Sequence, residues 1–173
     1  MAWQFQVPTV VIGFTAQSPA GGASTFQLNA AANWWAVGFT AQTTTWVKKF
    51  RFYVSALAGS LAAGDVSVSL FSDNNGKPNA LIGTASTTVT SAIASGAWCE
   101  ANGFISDAAI TVGTQYWLVV KNLNGTAASN NWTIRYLANN MVPYAPVGGQ
   151  AGIGCPIATT TNSGTSWTVG GPR

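Results

Sequence analysis

The feature that most constrains this chain is an alternation of apolar and polar side chains with a period of two residues. Residues 49–54, 66–71 and 132–137 show it clearly, and residues 35–39 show it over a shorter length. Successive side chains of a β-strand point to opposite faces of a sheet, so each alternation predicts a strand with one buried face. Residues 116–120 are apolar without interruption, which predicts a strand that is buried on both faces.

Turn signals separate these predicted strands. The clearest is Asp73-Asn74-Asn75-Gly76-Lys77-Pro78, and Asn-Gly and Gly-Thr pairs follow later in the chain. Helical periodicity is nearly absent. Residues 56–63 are the one stretch that suits a turn of helix, and Gly59 weakens it. Many short strands with regular turns predict an all-β sandwich or barrel.

The pattern divides the chain of 173 residues into three parts. Residues 1–30 form an N-terminal segment with strand character, and residues 31–140 form the core of a single domain. Residues 141–173 are rich in Gly, Thr and Pro, and Trp167 is their one strong anchor. Such a tail has little core of its own, so we expect it to be extended and to lie on the surface of its own domain or of a neighbour.

Titratable side chains are scarce, and this argues against an enzyme. The chain has no histidine, which excludes Ser-His-Asp and Cys-His catalysis and histidine zinc sites. Its four acids are Asp65, Asp73, Glu100 and Asp107. A glycosidase needs two carboxylates about 5–10 Å apart, and only Glu100 and Asp107 could meet across a turn. We therefore expect no catalytic residue and no cofactor.

Metal binding is also not expected. Asp73, Asn74 and Asn75 offer oxygens to Ca²⁺, but the further carboxylates of a calcium loop are missing, so a turn capped by Asp73 is favoured. Cys99 and Cys155 have a spacing that fits no metal motif. They form either one disulfide or two buried thiols, and a cytoplasmic origin favours the thiols.

The surface must be unusually neutral. Charged residues make up 6% of the chain, against about 25% in average globular proteins. Two interpretations stay open: a protein packed against neighbouring subunits, and a neutral extracellular β-protein.

The chain begins Met-Ala-Trp-Gln-Phe-Gln and has no long apolar run, so we expect neither a secretory signal nor a membrane helix. The basic residues at 48–51 suit a solvated strand face better than a nucleic-acid site.

The order of motifs over residues 35–140 carries a family resemblance. A strand is followed by D-x-x-G-x-P (Asp73 to Pro78), by another strand, by Trp98, and by G-T-x-Y-W-L-V (Gly113 to Val119). This order resembles the jelly-roll β-sandwich domains of phage virion proteins and modular bacterial surface proteins, which are similar in shape to carbohydrate-binding modules. The resemblance implies a jelly-roll β-sandwich of two antiparallel sheets with extended N- and C-terminal segments.

Physical expectations accompany this pattern. Asp73 should cap its turn, Gly76 should adopt a positive φ, and Pro78 should begin a strand at a sheet edge. Trp98 and Trp117 are large enough to fill the gap of about 10 Å between two packed sheets.

The resemblance and the missing proton-transfer groups together indicate a structural virion protein. We expect a capsid decoration (cement) protein of a tailed phage, located in the virion, made in the host cytoplasm and acting by passive docking. Its partners would be the major capsid protein or another virion protein and further copies of itself, with no specific nucleic acid and no membrane. Trp3, Phe5 and Trp167 are the interface candidates.

The alternative is a carbohydrate-binding or adhesive module of a phage fibre or a bacterial surface protein, whose partner would be a host-surface glycan. Trp34 and Trp132 are its sugar-stacking candidates. The simpler interpretation of these tryptophans is core filling and subunit contact.

Overall fold

The structure, a computed structural model, describes residues 10–14, 24–41, 44–89, 93–102, 109–136, 143–144 and 156–170. Within these ranges the chain forms thirteen strands and no helix, which confirms the predicted all-β fold. The strands are β1 (Val10–Phe14), β2 (Ser24–Leu28), β3 (Trp34–Thr40), β4 (Thr45–Ala58), β5 (Val66–Asp73), β6 (Pro78–Thr88), β7 (Ala97–Asn102), β8 (Ala109–Ile110), β9 (Gln115–Asn122), β10 (Asn131–Tyr136), β11 (Pro143–Tyr144), β12 (Ile157–Thr160) and β13 (Thr168–Gly170).

The strands form two sheets. The seven-stranded sheet has the order β11-β1-β4-β10-β2, with β7 and β8 also paired to β4. The six-stranded sheet has the order β13-β12-β3-β9-β5-β6. Every pairing is antiparallel except that of β1 with β4. The long strand β4 organises the seven-stranded sheet, because its 14 residues pair with four other strands along their length.

The core lies between the two sheets and follows the predicted alternation. Phe50, Phe52 and Val54 of β4 are buried, and the rings of Phe52 and Trp132 lie 5.2 Å apart between centroids. The inward side chains of the six-stranded sheet complete this core: Trp35, Val37, Phe39, Val66, Val68, Leu70, Leu118 and Val120. Fully burying one such large apolar side chain contributes about 1.5–3 kcal/mol.

Trp98 and Trp117 do not fill the gap between the sheets, so that prediction was wrong. Trp98 lies on the outer face of the seven-stranded sheet and is 41% exposed. Trp117 is buried on the outer face of the six-stranded sheet, in a second apolar cluster. Trp35 and Trp132 occupy the gap instead, because each is in phase with the inward residues of its strand.

Residues 56–63, the one stretch that suited a turn of helix, form none. Strand β4 continues to Ala58, which pairs with Asn131 of β10, and this pairing outweighs the local preference. Gly59 then ends the strand with a φ of 70°, and a Cβ at this position would overlap the Asn130 side chain. Glycine is needed there both for its conformation and for its small size.

The sequence-predicted turn after β5 is confirmed. The Asp73 carboxylate accepts a hydrogen bond of 3.1 Å from the Gly76 backbone N–H, and Gly76 has a φ of 76°. Pro78 begins β6, which is the edge strand of the six-stranded sheet. In the two terminal segments, β1, β2 and β11 lie in the seven-stranded sheet, whereas β12 and β13 extend the six-stranded sheet beside β3.

We predict that Gly59→Ala lowers the free energy of unfolding by about 2–3 kcal/mol, because left-handed strain and overlap with Asn130 act together. Gly113→Ala is the matched control: its φ of 78° is similar but no atom lies within 4 Å of the new Cβ, so it should lose only about 1 kcal/mol. Urea denaturation of both variants measures the difference. Equal losses would contradict the steric part of this explanation.

Candidate functional site

The outer face of the six-stranded sheet carries a second apolar cluster. Its floor consists of buried residues of four strands: Ala36, Phe71, Trp117, Val119 and Ala158. Trp34, Trp167 and Val169 pack against this floor and are partly buried. One face of an antiparallel sheet in a sandwich is normally polar and solvated, so an apolar floor here is a feature to explain. We call Trp34, Phe71, Trp117, Lys121 and Trp167 the aromatic platform.

Strand register places the centre of the platform. Trp34 begins β3 and pairs with Lys121 of β9 on one side and Thr160 of β12 on the other. The Lys121 Nζ lies 4.0 Å from the centroid of the Trp34 ring and 5.1 Å from that of Phe71. This is the geometry of a cation–π contact, and the aliphatic stem of Lys121 can cover apolar surface at the same time.

The loop between β12 and β13 holds the platform at its other side. The Trp34 and Trp167 ring centroids are 6.3 Å apart, and the two rings are inclined at 54°. Gly164 has a φ of 81°, and a Cβ there would lie 2.7 Å from the Trp34 ring. The Ser163 backbone N–H donates to the Ala32 carbonyl at 3.0 Å, so the loop is tied to the chain just before β3.

Hydrogen bonds stiffen this loop from within. The Asn162 Oδ1 accepts from the Thr160 hydroxyl at 2.6 Å and from the Ser166 backbone N–H at 3.0 Å. The Asn162 Nδ2 donates to the Ser166 hydroxyl at 2.8 Å. The Trp34 indole N–H donates to the Ala31 carbonyl at 2.8 Å. These hydrogen bonds hold the loop and the Trp34 ring in one arrangement, which would reduce the entropy lost if a ligand bound.

The charged groups near the platform, Lys121 and Asp73, do not pair with each other. Burial lowers the pKa of Lys121, because desolvation disfavours the charged ammonium. In the described part of the chain, the contacts of the Lys121 Nζ are the two aromatic rings, and no carboxylate lies within ion-pair distance of it. Asp73 accepts from the Trp117 indole N–H at 2.7 Å and from Gly76, so this carboxylate fixes Trp117 and caps a turn.

A second aromatic surface lies on the outer face of the seven-stranded sheet. Tyr53 of β4 is directly opposite Trp98 of β7, with ring centroids 5.6 Å apart in an edge-to-face arrangement at 70°. Trp46, at the start of the same β4 strand, is 36% exposed. We call Tyr53 and Trp98 the Tyr53–Trp98 pair.

The tryptophans proposed as site residues from the sequence lie in different parts of the structure. Trp34 and Trp167 both lie at the platform and are brought together. Trp132 is fully buried in the core beside Phe52, so neither face of its indole ring is open to a sugar, and the sugar-stacking assignment of Trp132 is corrected. Its position in phase with Ile134 on β10 explains this burial. Trp3 and Phe5 lie outside the described residues.

Sequence reasoning missed Lys121, Tyr53 and Trp98. Lys121 follows the apolar run of β9 in phase with Trp117 and Val119, and this phase was the available signal that it belongs to the outer face. The contact between Trp98 and Tyr53 could not be predicted, because the sequence does not show that β7 pairs with β4.

The three described acids each accept hydrogen bonds within their own turn or strand. Glu100 accepts from the Asn102 side chain at 3.2 Å, and Asp65 accepts from the Ala62 N–H at 2.8 Å and from the Asn124 side chain at 2.9 Å. Asp107 lies outside the described residues. Within the described ranges no three His, Cys, Asp or Glu side chains gather as metal ligands.

No helix in the described ranges has the length and apolar character needed to cross a membrane. The chain matches no family model, no curated protein and no solved structure.

Cys99 provides a test of core packing. It is a buried free thiol, and burial raises its pKa from 9.0 to about 12. The folded thiol keeps its proton where the unfolded thiol loses it, so this residue's contribution to stability is lost as pH rises from 9.0 towards about 12. In a Cys155→Ser background, the added substitution Cys99→Ala should make the free energy of unfolding depend less on pH in this range. Chemical denaturation at several pH values measures this dependence. An unchanged slope would contradict the assignment.

Proposed function

We propose that this chain is a structural virion protein, and specifically a capsid decoration (cement) protein of a tailed phage. It acts by passive docking, in which a stiff β-sandwich adheres to the major capsid protein or another virion protein and to further copies of itself. The observation that carries this proposal is the Tyr53–Trp98 pair on the outer face of the seven-stranded sheet, in which Trp98 is 41% exposed and Tyr53 is partly buried beside it. Exposed tryptophan and tyrosine are enriched at the centres of protein interfaces, where they contribute most of the binding energy.

The scarcity of charge supports the same function. With 6% charged residues, this surface has few desolvation penalties to overcome when another protein covers it. Each ~100 Å² of apolar surface buried would contribute about 2.5 kcal/mol before the costs of association. The described acids are spread over separate turns and strands, so a role in adhesion suits this chain better than one in turnover.

We also propose that the sandwich is a jelly roll. Eight of the strands, β2 to β7 with β9 and β10, pair in a nested way: the first with the last, the second with the seventh, the third with the sixth and the fourth with the fifth. All four pairings are antiparallel. This nesting is what results when one long antiparallel ribbon wraps around a core, and viral capsid proteins and lectins both use the jelly roll. The fold supports both candidate functions and does not separate them.

Self-association of the purified full-length chain tests the docking surface. We predict that the chain forms oligomers at micromolar concentration and that Trp98→Ser weakens their association about thirtyfold, because loss of a tryptophan hot spot removes about 2 kcal/mol or more. Sedimentation velocity over a range of concentrations measures this. Val112→Ser is the control, since Val112 is 55% exposed but lies in a turn away from the Tyr53–Trp98 pair.

A chain that stays monomeric at every concentration would contradict self-association through this face. The virion assignment has its own test, which is mass spectrometry of purified particles from the phage that encodes the chain. A structural component is present at a fixed high copy number, and absence from the particles would overturn the assignment.

A second candidate function, carbohydrate binding by an adhesive module, is favoured by the aromatic platform. A sugar ring presents an apolar face of C–H groups that packs on an indole ring, and its hydroxyls need polar partners at the edge. Trp167 offers a partly exposed ring, and the loop beside it carries the exposed polar residues Asn162, Thr165 and Ser166. This combination of an aromatic surface and a polar rim fits a saccharide better than it fits a second protein surface.

A glycan array tests this second candidate. We expect Trp167→Ala to reduce binding to any recognised glycan by about tenfold or more, since the stacking surface is lost. Trp98→Ser, on the opposite sheet, should leave glycan binding unchanged. Unaltered glycan binding by Trp167→Ala would contradict a role for the platform.

A further inference from the structure

We propose that the aromatic platform binds an acidic saccharide, with the carboxylate of the sugar paired to the Lys121 ammonium and the sugar ring stacked against Trp167. This inference rests on the carbohydrate-binding function proposed above and names its ligand class.

The environment of Lys121 indicates that the ligand carries a negative charge. Its Nζ sits over the Trp34 ring at 4.0 Å and beside Phe71 at 5.1 Å, a position in which the charge is partly removed from water. An ammonium has three donors, and the π faces of two rings replace only part of its lost hydration. Burial correspondingly lowers the pKa of this lysine. A carboxylate arriving at this position would gain a charge-assisted hydrogen bond and would relieve the unfavourable desolvation.

No acid among the described residues pairs with the Lys121 ammonium. Asp73 lies near the far end of β9, where Ser72 pairs with Tyr116, and Lys121 is five residues further along, about 16 Å at 3.3 Å per residue. Asp65 lies two residues before Ser67, the partner of Lys121 in β5. The Asp65 Oδ2 accepts instead from the backbone of Ala62 and from the Asn124 side chain. The charge that the described part of the platform offers to a ligand is therefore positive.

The neighbouring groups fit a sugar ring attached to that carboxylate. Trp34 carries the ammonium on its ring, and Trp167 stands beside it with a centroid separation of 6.3 Å and an inclination of 54°. Lys121 and Trp167 both lie beside Trp34, so a sugar ring that stacks on Trp167 can direct its carboxylate towards the ammonium. Asn162 and Ser166 stand at the rim of the same loop. The tight contact of Gly164 with Trp34 holds this arrangement rigid.

The experiment compares acidic oligosaccharides with their own methyl esters, which differ only in charge. Oligomers of galacturonic acid and of sialic acid are titrated by calorimetry into the full-length protein. We expect at least one acid to bind about tenfold or more tightly than its ester. Lys121→Met keeps the apolar stem over Trp34 but removes the charge, and it should abolish this preference, whereas Lys121→Arg should retain most of it. Thermal melting of each variant verifies that it is folded.

The outcomes separate the inference from the function on which it rests. Equal binding of acid and ester, lost in Trp167→Ala, would overturn the acidic ligand but keep carbohydrate binding. No binding of any glycan, on the array or in calorimetry, would overturn both. An unchanged acid preference in folded Lys121→Met would overturn the role of Lys121. A thymidine oligonucleotide that binds more tightly than every saccharide and displaces them would overturn the saccharide in favour of single-stranded nucleic acid, which also combines stacking with negative charge.

Discussion

Burial of strand β9 on both faces is the constraint on which the rest of this structure depends. Its inward residues Leu118 and Val120 fill the gap between the sheets, and its outward residues Trp117 and Val119 are equally buried. The outer face of a sandwich is ordinarily open to water, so an apolar strand at the centre of the six-stranded sheet requires a cover. Trp34 of β3, Trp167 of the loop before β13 and Val169 of β13 pack against this floor, with Lys121 beside them, and these side chains provide that cover.

The cover and the candidate binding site are therefore the same set of residues. Trp34 and Trp167 shield the floor, and they are also the rings that a ligand would meet. This explains the rigid loop after β12, because a loop that hides apolar surface must keep one conformation. A binding surface that also protects the sheet is preorganised at little additional cost in entropy.

The two outer faces of the sandwich differ in kind. On the seven-stranded sheet, the Tyr53–Trp98 pair lies on the outer face and Trp98 is exposed, an arrangement that suits contact with another protein. On the six-stranded sheet, the tryptophans are inclined to each other and accompanied by a cation and a polar rim, which suits a smaller ligand. The proposed docking face and the proposed ligand face lie on opposite sheets, so the core separates them.

The sequence by itself determined the strands and their turns. Alternation at 50, 52 and 54 defined an inward face, and Asp73 with Gly76 defined a turn that needs only local atoms. Within the run 116–120 the apolar residues carry no phase of their own, so Lys121 was the signal for the outer face, and the fold determined that Leu118 and Val120 pack in the core. The pairing of β3 with β9 places Trp34 beside Lys121, although the two residues are 87 positions apart in the chain. Contacts of that kind depend on strand register, which arises from the packing of the whole sheet and leaves no local trace in the chain.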